Sequence, residues 1–129
     1  MGGVARFAVS GAVAERWGSH FPWGTLVVNL SGSLVLGLVV ALLAGPGAGN
    51  PPPPAEIHAQ SLSGPWLLIG IGVLGSYTTV STFSLQTLEL IKAGAITSAV
   101  GNMAVSLAGC ILAAGVGMAA GSIIVSAGG

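Results

Sequence analysis

The sequence has 129 residues, of which 53% are hydrophobic and 5% charged, with a formal net charge of zero. A soluble domain carries roughly a quarter charged residues, so a surface this poor in charge must face lipid or protein, and disorder, which needs low hydrophobicity and high charge, is excluded as well. Zero net charge, made of Arg6, Arg16 and Lys92 against Glu15, Glu56 and Glu89, also argues against a nucleic-acid partner, since no basic patch is present to neutralise phosphates.

Two further counts narrow the class. Helices in lipid associate by close backbone approach, which small residues permit, so 22 glycines point to tightly packed membrane helices. Cys110 is the single cysteine, which leaves no intrachain disulfide and no zinc site built on several thiolates; inside a long apolar run it reads as an inert packing residue.

A spanning helix needs about 20 mainly apolar residues. Residues 2–16 form the first expected helix; it is short and carries Arg6, which must snorkel to the interface or pair within the protein. Because Arg6 interrupts the apolar stretch and no compact basic region precedes it, this segment reads as mature sequence rather than a cleavable signal. Trp17, Phe21 and Trp23 crowd the first connection, and Trp66 opens the third span, all positions suited to interfacial anchors.

Residues 24–44 meet the spanning criterion without a charge, and Gly45-Pro46-Gly47 ends them. Residues 45–63, with Pro51 to Pro54, are expected as a loop outside the hydrocarbon. The third span covers 65–92, with Glu89 and Lys92 near its end, and the fourth covers 95–125, long enough to tilt. The expected architecture is a single all-α membrane domain over 1–129, with four transmembrane helices.

The basic residues barely favour either side of the membrane. Arg6 lies in the first helix, Arg16 in the first connection and Lys92 in the third, and the second loop has neither Lys nor Arg. Basic bias sets orientation, so the chain either inserts both ways and pairs as an antiparallel dimer, or takes one topology fixed by few charges. Charge alone leaves both open.

Polar groups at membrane depth carry the functional signal. In the second span Thr25, Asn29, Ser33 and Gly37 recur every four residues and share one face. Asn29 there is interhelical glue or a donor lining a pore, and the helix by itself favours glue. In the fourth span Asn102, Ser106 and Cys110 form a stripe whose amide and hydroxyl are either interhelical glue or part of a polar track; the neighbouring stripe of Gly101, Gly109, Ala113, Gly117 and Gly121 reads as a packing seam. The third span is the most informative: Gly70, Gly72 and Gly75 lead into a tract from Ser76 to Ser84 rich in hydroxyl and β-branched residues. Such residues compete with helical bonding, and the tract predicts a break at about Gly75 to Thr79. Irregular backbone at that depth persists only inside protein or against a cavity, and transporters and channels bind ions at such breaks.

These segments resemble the Fluc (CrcB-type) fluoride ion channel family. Gly72 to Ser84 reads GVLGSYTTVSTFS against the family's G-F-C-G-G-F-T-T-F-S-T-F-S, and Gly24 to Ser33 reads GTLVVNLSGS against G-T-x-x-V-N-x-x-G-S. The opening GGVARF and NMAVSLAG, Asn102 to Gly109, fit in the same order. The resemblance implies an antiparallel homodimer in a bacterial inner membrane, with two fluoride pores and a sodium ion at the dimer centre, held by the backbone carbonyls of Gly75 and Thr78. It places the pore asparagine on Asn29, a pore phenylalanine on Phe83, the polar track on Ser81, Thr82 and Ser106, and a first-helix arginine on Arg6. Such side chains suit a small, tightly hydrated anion: amides and hydroxyls donate, and a phenyl ring presents a positive edge.

Of the departures from the family pattern, three are singled out. Val80 stands where the family has its first pore phenylalanine, Gln86 where it usually has Glu, and Tyr77 where it has Phe. The expected function is passive fluoride export through a dimeric channel, not enzymatic chemistry. The alternatives are a small dual-topology multidrug or other solute exporter, which would need a membrane carboxylate and has only Glu89, and a non-conducting subunit paired with a homologous one. His20 and His58 read as solvated loop residues.

Overall fold

The structure, a computed structural model, describes residues 1–18, 21–44 and 72–128. These residues form five helical segments and no strand: α1 Gly2–Trp17, α2 Trp23–Ala44, α3 Gly75–Tyr77, α4 Val80–Lys92 and α5 Ile96–Ala127. The expected loop 45–63 and the start of the expected third span, 65–71, lie outside the described residues.

Among the described helices, α2 and α5 are long and apolar enough to cross a membrane. Between α1 and α2 the chain reverses at Gly18, whose φ of 79° is a left-handed conformation that a side chain would disfavour. Trp23 packs edge-on against Trp17 with ring centroids 5.6 Å apart and against Phe21 at 4.7 Å. α1 then crosses α2 at Gly24, where a Cβ would sit 2.8 Å from the Ser10 carbonyl oxygen.

The α2–α5 pair is the main packing interface. Gly37 of α2 lies against the Ala114 backbone, and Gly117 of α5 against the Leu34 backbone. A Cβ on Gly109 would meet Leu30 Cδ2 at 2.8 Å, and one on Gly121 would meet the Ala41 Cβ at 2.6 Å. The glycine stripe of the fourth span is therefore a seam from 109 onward. At Gly101 nothing lies within 4 Å, so that glycine is not part of the seam. Val28 and Ala41 are buried along this seam. On the outer face Leu107, Leu112 and Ile123 stay more than two-thirds exposed, at 68%, 69% and 68%.

α4 returns to α5 through a tight reversal at Gly94, φ 75°. Gly94 N–H donates to the Ile91 carbonyl at 3.0 Å and Ala95 N–H to the Leu90 carbonyl at 2.9 Å, a Schellman closure that satisfies the last carbonyls of α4. The turn brings α4 alongside the first half of α5.

Candidate functional site

The tract expected to break does so. After a wide π-type turn at residues 72–74 and the single turn of α3, Thr78 is extended with ψ 155° and Thr79 with φ −148° and ψ 125°, before α4 begins. Hydroxyls compete for the backbone just upstream: Ser76 Oγ donates to the Gly72 and Val73 carbonyls at 2.6 and 3.0 Å, and Thr78 Oγ1 to the Leu74 carbonyl at 3.1 Å. Back-bonding and a break had been alternatives on sequence. Here the first runs directly into the second.

What holds the break open is a side chain from 50 residues away. Asn29 Nδ2 donates to the Thr79 carbonyl at 3.0 Å, and Asn29 Oδ1 accepts from the Thr79 N–H at 2.9 Å. One amide thus pairs with both polar groups of one residue, as a neighbouring strand would. Asn29 is glue in this sense, and one Nδ2–H remains beyond the pair. Thr79 also caps α4: its Oγ1 accepts from the Thr82 N–H at 3.2 Å and lies 3.1 Å from Thr82 Oγ1 and 3.2 Å from Ser81 Oγ.

These bonds leave two carbonyls without their helical donors, and the start of α4 at Val80 does the same for those of Ser76 and Tyr77. In a continuous helix the Gly75 carbonyl would accept from Thr79 N–H and the Thr78 carbonyl from Thr82 N–H. The first of those donors is taken by Asn29 and the second by the Thr79 hydroxyl. On the other side of the break, the N–H groups of Val80 and Ser81 open α4 with no helical carbonyl before them. Asn29, Gly75, Thr78, Thr79 and Val80 all line one cleft of about 270 Å³, with Gly32, Ser33, Leu36, Leu74 and Cys110 completing its walls. Gly32 is required there: the Thr78 methyl occupies the space a Cβ would need.

The cleft gathers some of the sequence-derived candidates and leaves others apart. Asn29, Gly75, Thr78 and Val80 meet on it. Val80 is 76% exposed at its edge. Ser81 is exposed, Thr82 and Phe83 are half-buried on the first turn of α4, and Arg6 is half-buried on α1, none of them on the cleft. Ser106 is buried between α4 and α5, its Oγ 3.5 Å from Asn102 Oδ1. Asn102 Nδ2 in turn donates to Thr87 Oγ1 at 3.0 Å.

Two participants were not singled out from sequence: Thr79, named only as the end of the break, and Thr87 carry no motif beyond hydroxyl spacing along the helix. Cys110, placed on the stripe with Asn102 and Ser106 and read as inert packing, forms part of the cleft wall. Tyr77, noted as a departure, turns its hydroxyl to Ser31 Oγ at 2.9 Å; Ser31 donates onward to the Val27 carbonyl at 2.8 Å.

A family model described as "CrcB-like protein, Camphor Resistance (CrcB)" matches residues 1–118. The chain belongs to the CrcB family. Its match to that model takes in α1 to α4, the break and most of α5. Among curated relatives of this CrcB chain is the "Fluoride-specific ion channel FluC 2" of Bradyrhizobium diazoefficiens, 44% identical over 117 residues, covering 91% of this chain and 78% of the relative. That of Rhodopseudomonas palustris bears the same name and is 45% identical over 123 residues, covering 95% and 86%. The "Fluoride-specific ion channel FluC" of Magnetococcus marinus is 41% identical over 124 residues, covering 96% and 91%.

Proposed function

We propose that this chain is a subunit of a fluoride-selective channel that lets the anion cross a bacterial inner membrane passively, not an enzyme. What carries the reading is the helix break at Thr78–Thr79, clamped by Asn29, in a chain whose relatives at 41–45% identity bear that channel name.

The chemistry follows from what the break offers. Fluoride holds its water tightly, so a narrow path must supply donors in exchange. The spare Nδ2–H of Asn29, the hydroxyls of Ser81, Thr82 and Ser106 and the edge of the Phe83 ring are the donors assigned to that path. Val80, at the cleft edge, contributes a wall without an aromatic edge. Among the described residues no lysine or arginine lies on the cleft, which suits an anion that must leave as readily as it enters.

The working unit in this proposal is an antiparallel dimer of dual topology, built from two four-helix subunits. Two observations support a second copy. Ser81 and Ser84 are exposed on α4 of a chain otherwise fit for lipid, where uncovered hydroxyls are costly. The freed carbonyls of Gly75 and Thr78 are hard oxygen donors, and one pair from each subunit suits a sodium ion at the dimer centre. At the start of α1, Gly2 packs on Val73 and Ser76, just ahead of the break.

Reconstituted liposomes loaded with fluoride test the proposal. Efflux recorded with a fluoride electrode should exceed protein-free vesicles many-fold, and chloride efflux should not. Efflux equal to empty vesicles, with a homologous subunit also supplied, defeats it; efflux only with that second subunit assigns the chain to a pair of unlike subunits.

A further inference from the structure

Beyond the cleft, a second polar connection ties α4 to α5. Asn102 is 2% exposed and Thr87 7% exposed. Asn102 Nδ2 donates to Thr87 Oγ1 at 3.0 Å, and Thr87 Oγ1 spends its own proton on the Phe83 carbonyl at 2.8 Å. Ser106 Oγ lies 3.5 Å from Asn102 Oδ1, too long a contact to commit its proton there. The bonds run in one direction, from Asn102 through Thr87 to Phe83. Chains of this kind polarise each bond in turn.

We propose that Thr87 and Asn102 are positioning residues for Phe83. A threonine bonded back to the carbonyl one turn earlier competes for that turn's backbone, and here the threonine hydroxyl is itself held from outside by an amide of α5. That turn is 83–87, which carries the half-buried Phe83 ring. Simple glue between α4 and α5 would be served by any facing pair. This chain ends instead on the carbonyl of the one residue whose ring edge the channel reading uses, and the inference rests on that reading.

The test compares Thr87→Val, which keeps the shape and removes the hydroxyl, with Thr87→Ser, which keeps the hydroxyl, and Asn102→Leu. Two readouts are taken in bilayers: fluoride and chloride efflux, and the ring-carbon NMR signals of the three phenylalanines, Phe83 being assigned by Phe83→Leu. Thr87→Val and Asn102→Leu should each lower fluoride efflux about three- to tenfold, the scale of one interhelical hydrogen bond in lipid. Both should shift the Phe83 signal while leaving Phe7 and Phe21 in place, and Thr87→Ser should restore efflux and signal together.

An unmoved Phe83 signal in Thr87→Val, or Thr87→Ser impaired as badly as Thr87→Val, overturns the positioning role. Wild-type vesicles that pass no fluoride even with a homologous subunit supplied, with the Phe83 shift still present in the variants, overturn the channel reading and leave the positioning role standing. Should Thr87→Val fail to fold, Thr87→Ala removes the same hydroxyl without bulk and is read in the same way.

Discussion

At the scale of single residues, the amide of Asn29 is committed mostly to backbone. Replacing it with leucine strands the Thr79 N–H and carbonyl together, at a cost of about 1–3 kcal/mol for groups left unpaired in a poorly solvated place. Asn29→Leu should therefore lower the unfolding midpoint in detergent and abolish fluoride efflux. A variant of wild-type stability without flux would mean that the amide serves the ion alone. Thr79→Val removes the cap on α4 and should destabilise by about 1 kcal/mol, with Thr79→Ser close to wild type in the same thermal scan. The residue pattern made Asn29 visible, since four-residue spacing placed it on a polar face. Its partner was not visible, because a contact across 50 residues leaves no trace in local spacing. Thr79 was missed for a related reason: its cap on Thr82 lacks the Glu or Gln three residues on that marks a capping box.

Helix pairs obey a simpler logic, and more of it could be read in advance. Small residues at four-residue intervals on the fourth span implied a seam, and the α2–α5 contact is that seam from Gly109 to Gly121. The partner helix and the open space at Gly101 were not legible, because spacing names a face and not what meets it. Gly117→Ala would push a methyl into the Leu34 backbone and should cost about 1–3 kcal/mol as an overpacked contact. Gly115→Ala, with open space around it, should be neutral or stabilise by up to about 1 kcal/mol through lost chain freedom. Thermal unfolding followed by circular dichroism separates the two; equal effects would mean the seam is not tightly packed. The break was legible as well, because glycine followed by crowded hydroxyls weakens a helix whatever surrounds it. Which carbonyls it frees depended on where Thr79 and Thr82 N–H turn instead.

For the whole molecule, composition declared a lipid-facing protein at once, whereas orientation stayed open because three basic residues provide too little bias. The proposed dual topology predicts that a terminal tag is reached by an impermeant reagent from both sides of the membrane in one preparation. Uniform labelling from one side excludes it. Exchange of sodium for a large organic cation should loosen the dimer and depress fluoride efflux together, as read by size-exclusion chromatography and the electrode; a dimer indifferent to the exchange excludes the cation site. Cutting a helix always creates two tips of opposite polarity, and at Thr78–Thr79 they lie back to back. Oxygen lone pairs look out from one, amide protons from the other. The proposed resting place of the metal and the proposed route of the halide are thus two faces of a single fault in the winding, so any change that heals the fault erases both at a stroke, and neither can be inherited without the other.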